Sequence, residues 1–342
     1  MSERFRIGPL AGANFGGEAM LASPPAGDAT MAIIEAAEAE PEALPAALDR
    51  CHGLLVLRGM TGISQDPGLI VRLSRLFGAE VENYHHTLTA RNRVHETVPE
   101  ILLVTNLPPG GREPPARPVP PLTDDGKLPL QFPQRIGWHT DQSYRRPPPD
   151  ISLFYAVIPG TKGEGQTLFA SGVLGYAALS DAMKARIAGM DGIHVMPGTN
   201  RSEDAVREGR PPRPLGPHEQ PQRQPLVRVH PVTGTKALYL CERGQMDWLS
   251  GPIADMEPGP GGAGAALLYE LMIHMTKPEF CYAHDWDEGD LVIWDNRSLA
   301  HSATWFDTSK SDRLMWRTTI HGNPGPEYAG ERKSWAREMA AD

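Results

Sequence analysis

Glu288-Gly289-Asp290, followed by Leu291-Val292-Ile293-Trp294-Asp295-Asn296-Arg297, reads as a tight turn feeding a short apolar strand. Upstream, the same pattern recurs in the runs ISLFYAVI (151–158), TLFA (167–170), IHVM (193–196), PLVRVH (225–230), KALYLC (236–241) and CYAHDW (281–286). Closely spaced strands separated by turn residues predict a sandwich or barrel. Two helices interrupt them. One is predicted over 173–190, the other over 264–275 with Leu267, Leu268, Leu271 and Met272 on its buried face. Before the first of these strands, 31–50 reads as a helix interrupted at Pro41 and Pro45, and Gly53 to Arg58 as a buried strand ended by Gly59. Residues 67–77 read as a helix stopped by Gly78, and 101–104 as one more strand. The expected fold class is mainly β with flanking helices around a jelly-roll core, in a single domain over 1–342.

Composition supports this reading. With 342 residues, 40% of them hydrophobic, the chain is long enough for one large domain. Its 35 Gly and 34 Pro exceed the usual share without any G-X-Y period, so they punctuate a loop-rich chain. They concentrate in two irregular segments, about 108–133 and 200–225, which read as Pro-rich insertions serving as lids or mobile surface loops. A net charge of -9 argues against a nucleic-acid partner. Cys51, Cys241 and Cys281 form no CxxC pair, so neither a disulfide framework nor a zinc site is expected, and a reducing cytoplasm is the simplest setting. The first residues lack the apolar core of a signal peptide, and no run of about 18 apolar residues follows; no membrane partner is expected.

The chemistry concentrates in Gly137-Trp138-His139-Thr140-Asp141. In an extended segment residues i and i+2 share a face, so His139 and Asp141 can reach one metal while Thr140 turns away. His301, just past the strand and turn ending at Arg297, is the best third ligand. Two imidazoles and one carboxylate are the ligand set of a non-haem Fe(II) oxygenase, leaving three open coordination positions. Of the 12 histidines, His85, His86, His194, His230, His274, His284 and His321 show no comparable partner; His52 and the His284-Asp285 pair read as structural. Arg313 and Arg317 lie four apart in DRLMWRTTI, on one strand face with backbones roughly 13 Å apart. A guanidinium there grips a carboxylate bidentately. Arg145 and Arg146 read as exposed loop charges near an entrance.

Several segments carry a resemblance in the same order along the chain: Trp138 to Asp141, Gly165 to Ala170, Tyr176 to Ser180, His230-Pro231-Val232-Thr233-Gly234, Lys277 to Phe280, Gly289 to Arg297, His301 to Thr304 and Asp312 to Arg317. Gly53 to Arg58 and Leu76-Phe77-Gly78 extend it toward the N-terminus. Together they resemble the taurine/2,4-D dioxygenase (TauD/TfdA) family of Fe(II)/2-oxoglutarate-dependent dioxygenases. The resemblance implies a double-stranded β-helix with Fe(2+) on His139, Asp141 and His301, and 2-oxoglutarate on Thr167 and Arg313. It implies that Arg317 contacts the anionic group of the substrate. Tyr84, His85, His86 and Asn106 fall where taurine-type enzymes place substrate-binding residues.

The implied reaction uses O2 to hydroxylate an unactivated C–H of a small anionic substrate (a sulfonate, sulfate ester, aryloxy acid or other carboxylic acid), releasing succinate and CO2. A carboxylate at Asp141 favours hydroxylation over the halogenation seen where relatives carry a small residue. The same ligands would serve an amino-acid or natural-product intermediate, by hydroxylation, desaturation or cyclisation. A non-catalytic jelly-roll that binds an anion or metal is the reading from another class. By analogy with relatives, a homo-oligomer is possible.

Overall fold

The apolar runs lack alternation because they are buried on both faces. In the Leu291–Asp295 strand, Leu291 and Ile293 join a cluster with Ile34, Leu44, Leu48 and Ile70 from helices. Val292 and Trp294, pointing the other way, join Phe169, Tyr282 and Leu299. The Leu54–Leu57 and Ile151–Ile158 strands divide likewise: Leu55, Leu57, Leu153 and Tyr155 face the helices, and Leu54, Val56, Phe154 and Ala156 face inward. The structure is a computed structural model that describes residues 2–87, 89–242 and 244–335.

These strands belong to an eight-stranded sheet, ordered Phe5–Pro9, Gly17–Leu21, Leu54–Leu57, Leu291–Asp295, Ile151–Ile158, Leu314–His321 and Glu80–Val81, with Leu102–Thr105 also paired to Leu314–His321. Pairing is antiparallel except between Gly17–Leu21 and Leu54–Leu57. Opposite it lies a three-stranded antiparallel sheet, Cys281–His284, Thr167–Ser171 and Leu299–Ala303. Its outer face (Leu168, Ala170, Cys281, Ala300) packs on the Ala263–Met275 helix through Leu267, Leu268, Leu271 and Met272. The result is a mostly β architecture with flanking helices. Truncating a core leucine such as Leu271 to Ala would cost about 2–5 kcal/mol.

Local differences from the sequence reading have identifiable causes. The helix predicted over 173–190 is two, Gly172–Ala177 and Asp181–Ile187, because the Ser180 hydroxyl accepts from Met183 N and starts a new helix. The 31–50 helix breaks near Pro41 into Thr30–Ala39 and Ala43–Arg50, yet Pro45 interrupts nothing. It sits in the first turn, where a missing N–H removes no intrahelical bond. The 200–225 insertion is not wholly irregular: it holds a Glu203–Arg207 helix and a Gln222–Pro225 strand paired with Asp191–His194. The 108–133 insertion carries no helix or strand, but Phe132 is buried and Leu128 and Leu130 pack on the same cluster as the long helix. Cys51, Cys241 and Cys281 are free thiols. No described helix is long and apolar enough to cross a membrane.

Candidate metal centre and its cavity

His139 and His301 are cross-strand partners. His139 N donates to His301 O at 2.9 Å and His301 N to His139 O at 2.7 Å, a single bridge on the Leu299–Ala303 edge of the small sheet. This exchange holds the two rings side by side, 4.3 Å between centroids. Asp141 follows in a turn rather than a strand, and the nitrogen and oxygen atoms of His139, Asp141 and His301 come within 4.8 Å of one another. Thr140 does turn away: its hydroxyl donates to Asn296 O at 2.9 Å.

Asn296 is the hub behind this arrangement. Its Oδ1 accepts from Asp141 N at 3.2 Å and from Trp294 Nε1 at 2.9 Å, and its Nδ2 donates to Ser152 Oγ at 3.0 Å. Ser152 in turn donates to Asp141 Oδ2 at 2.9 Å. Neighbouring Asp295 serves the scaffold instead: Arg297 Nε donates to it at 2.8 Å and His230 Nε2 lies 2.9 Å from it, with Asp49 3.6 Å from the same nitrogen. His230 thus has acidic partners that its sequence neighbourhood hides, the nearer one 65 residues away. Asp49, His230 and Asp295 also converge closely, but Arg297 forks onto Asp295 and already supplies the positive charge.

The donor chemistry of the triad fits a divalent iron. Desolvation pushes His139 below the ordinary imidazole range, and desolvation together with His139 lowers His301 to about 3, so both rings are neutral and able to donate a lone pair. His139 Nδ1 lies 2.7 Å from Gly137 O, which fixes the proton there and leaves Nε2 as the donor. His301 Nε2 faces Asp141 Oδ1 at 3.8 Å, while its Nδ1 is buried without a partner among the described residues. Burial opposes ionisation of Asp141, but the Arg317 guanidinium, with a hydrogen bond from Ser152, holds the carboxyl at about 2, as an anion.

Beside the triad opens a cavity of about 280 Å³ lined by His139, His301, Thr167, Arg313, Arg317 and Arg112, with Phe154, Phe306 and Trp294 among its apolar walls. Arg313 is 7% exposed and has no carboxylate partner among the described residues. Its Nη2 reaches only Gly165 O, at 3.3 Å, and its Nε is unpaired. Gly165 has φ +64, and a Cβ there would come within 3.3 Å of Arg313 Nε, so glycine makes the room. A buried guanidinium without a counter-ion costs several kcal/mol, which points to an anionic ligand. The Thr167 hydroxyl accepts from Trp286 Nε1 at 3.1 Å, which leaves its own proton free to donate.

The remaining expected residues are placed unequally. Arg317 lines the cavity, but its Nη1 donates to Asp141 Oδ1 at 2.6 Å, so its charge already serves the triad. Arg313 precedes the Leu314–His321 strand and a register shift follows Leu314, so the two arginines are not regular neighbours on one strand face. Asn106 borders the cavity with its amide committed: Nδ2 donates to Ser311 O at 3.0 Å and Oδ1 accepts from Arg313 N at 2.8 Å. Tyr84 is buried behind Arg317 with its hydroxyl 2.8 Å from Thr319 Oγ1; it does not line the cavity, nor do His85 and His86. Arg145 is buried rather than exposed, paired with Glu82 and stacked on Trp335, whereas Arg146 binds Glu331 at the surface. Sequence reasoning missed Asn296 and Arg112. Asn296 sat within a quoted motif without a role, and Arg112 lies in an insertion with no periodicity to flag it.

Comparison with known proteins identifies the family. The chain matches the family described as "Taurine catabolism dioxygenase TauD, TfdA family" over residues 24–319. The chain belongs to that family. It is 32% identical over 202 residues to the (S)-phenoxypropionate/alpha-ketoglutarate-dioxygenase of Sphingobium herbicidovorans, covering 57% of this chain and 65% of that enzyme, a little under two thirds of its length. It is 28% identical to the pentalenolactone F synthase of Streptomyces arenae, covering 68% of this chain and 73% of that protein. Among solved structures, AAD-2 in complex with Mn(II) and N-oxalylglycine is similar with a TM-score of 0.65 and 27% identity, covering 93% of this chain and 97% of that one.

Proposed function

We propose that this protein is an Fe(II)- and 2-oxoglutarate-dependent dioxygenase that hydroxylates an unactivated C–H of a small organic acid, releasing succinate and CO2. The observation that carries the proposal is the convergence, on one cavity, of the His139/Asp141/His301 triad with the buried, counter-ion-free Arg313. The names of the relatives support the cosubstrate and the acid class, since they include a phenoxypropionate dioxygenase that uses alpha-ketoglutarate. We read the two packed sheets as the double-stranded β-helix of such enzymes, within one domain over 1–342.

In this reading His139, Asp141 and His301 hold Fe(II), which with 2-oxoglutarate supplies oxygen activation and the oxidising equivalents. Arg313 would hold the far carboxylate of 2-oxoglutarate, with the Thr167 hydroxyl as a further donor. Ser152 and Asn296 keep Asp141 oriented. Phe154, Phe306 and Trp294 exclude water and seat the apolar body of the substrate. Arg317, beside Asp141, contributes positive charge at the substrate end.

Incubation with Fe(II), ascorbate and 2-oxoglutarate plus a panel of aryloxy acids, sulfonates and sulfate esters is expected to release succinate with at least one acid. His139→Ala would abolish release while the protein stays folded. Succinate release that survives His139→Ala, or no release with any acid, contradicts the proposal. The similarity to pentalenolactone F synthase, over a larger share of the chain, favours a natural-product intermediate as the second reading. That reading predicts turnover only when larger carboxylic acids join the panel.

A further inference from the structure

We propose that Arg112, carried by the 108–133 insertion, binds the anionic group of the organic substrate and sets the preference of the cavity for acids. The inference rests on the reading that this cavity takes 2-oxoglutarate and an oxidisable acid. Among the described residues three arginines line the space, and two are spoken for. Arg317 is bonded to Asp141, and Arg313 sits deep against Gly165, with Thr167 on the same wall. Arg112 is exposed at the mouth, on the lining of the same cavity as Arg313. Among the described residues no carboxylate forms a salt bridge with Arg112, and Asp141 is already paired with Arg317. A second cation on the cavity wall that is ion-paired with no described carboxylate is a receptor for an anion that arrives with a ligand.

The loop is built to hold that guanidinium in place. Arg112 N donates to Thr105 O at 2.8 Å, tying the insertion to the end of the Leu102–Thr105 strand. Asn92 Nδ2 donates to Pro109 O at 2.9 Å three residues earlier, and Pro114 and Pro115 stiffen the chain just after. Preorganisation of this kind lowers the entropy lost on binding. Phe306, Pro114, Pro115 and Val104 surround the position with apolar surface, so a substrate with an apolar body and one acid group matches it. Glu113 also lines the mouth and repels an anion, which steers the acid group to the Arg112 side.

The test is equilibrium binding to the Mn(II)-loaded protein with 2-oxoglutarate, with calorimetry as the readout so that no turnover is needed. The probes are 2-phenoxypropionate, an alkyl sulfonate and larger aryl carboxylic acids, each against its neutral amide. Wild type is expected to bind at least one acid well above its amide. Arg112→Gln should weaken that acid by about 10- to 100-fold, the range of a charge-assisted pair, and leave the amide and 2-oxoglutarate within twofold. Arg117→Gln removes the same charge from the same insertion outside the cavity, where Arg117 stacks on Trp305, and should change neither. A loss of 2-oxoglutarate affinity with acids unaffected, equal loss for acid and amide, or no wild-type preference for any acid would overturn the inference. Acid binding that depends on Arg112 without succinate release would instead sink the proposed oxygenase function and leave this assignment standing.

Discussion

Replacing Arg313 with methionine is expected to stabilise the ligand-free protein while abolishing its hold on 2-oxoglutarate. The guanidinium is buried, its one polar contact is a 3.3 Å bond to Gly165 O, and the rest is stacking on Phe154 and Phe306 at 5.8 Å. Burial first, and Arg112 second, hold its pKa at about 10 against the ordinary 12.5. That difference corresponds to about 3 kcal/mol against the charged form in the fold. Methionine has similar length, no charge and a soft apolar tip suited to the two rings. The ligand-free fold should therefore gain about 1–3 kcal/mol, a rise of several degrees in melting temperature for a chain of this size.

The same change removes the bidentate partner of a carboxylate. A buried pair of that kind is worth about 2–4 kcal/mol when one partner is deleted, so 2-oxoglutarate should bind about 30- to 1000-fold more weakly. Thermal melts in Mn(II), with and without 2-oxoglutarate, read both effects at once. Wild type should melt lower alone and rise with the ligand. Arg313→Met should start higher and not respond. A variant that melts several degrees below wild type, or that keeps the ligand-dependent rise, refutes the reasoning that Arg313 is an anion receptor maintained at a cost to stability.

Asn296→Ala removes four buried side-chain bonds and should destabilise the fold by about 3 kcal/mol in urea unfolding. Because one of those bonds orients the Asp141 backbone, Mn(II) affinity measured by calorimetry should fall about 10- to 100-fold; unchanged affinity would remove Asn296 from any role at the metal. Glu82 gives the pH test. Burial opposes its charge, but Arg145 and His321 hold it at about 2, below the ordinary 4.5. A depressed acid contributes stability that is fully present above about pH 4.5 and disappears as the pH falls toward 2. Glu82→Gln should thus be less stable than wild type at pH 7 by about 3 kcal/mol, and the gap should narrow below about pH 4.5 and close as the pH falls through about 2; a gap that stays constant with pH contradicts the assignment.

The parts of this molecule that were legible in advance are those with local signatures. Strands such as Ile151–Ile158 announce themselves because both faces are apolar, and His139-x-Asp141 stands out by spacing alone. What escaped depends on distant pairing. Nothing near His230 shows that Asp295 will meet it, and nothing near Asp141 shows that Arg317, 176 residues on, will take one carboxylate oxygen. The single helix expected over 173–190 failed on a local signal that was present: Ser180 followed by Asp181 is a start signal inside an otherwise helical run. Arg145 looked exposed because its neighbours are Arg and Pro, yet Glu82 and Trp335 bury it from two other segments. Tyr84 lay close in sequence to expected contacts but folds inward behind Arg317, where only tertiary packing decides.

Anaerobic titration of the Fe(II)-loaded protein with 2-oxoglutarate tests the central claim most directly, because it asks for the metal and the cosubstrate together without knowledge of the substrate. The account predicts an iron-dependent absorption band that saturates at one 2-oxoglutarate per chain, is absent in His139→Ala and Asp141→Ala, and needs far higher 2-oxoglutarate in Arg313→Met. A wild-type protein that shows no such band, or a band that persists when His139 and Asp141 are replaced, would contradict it.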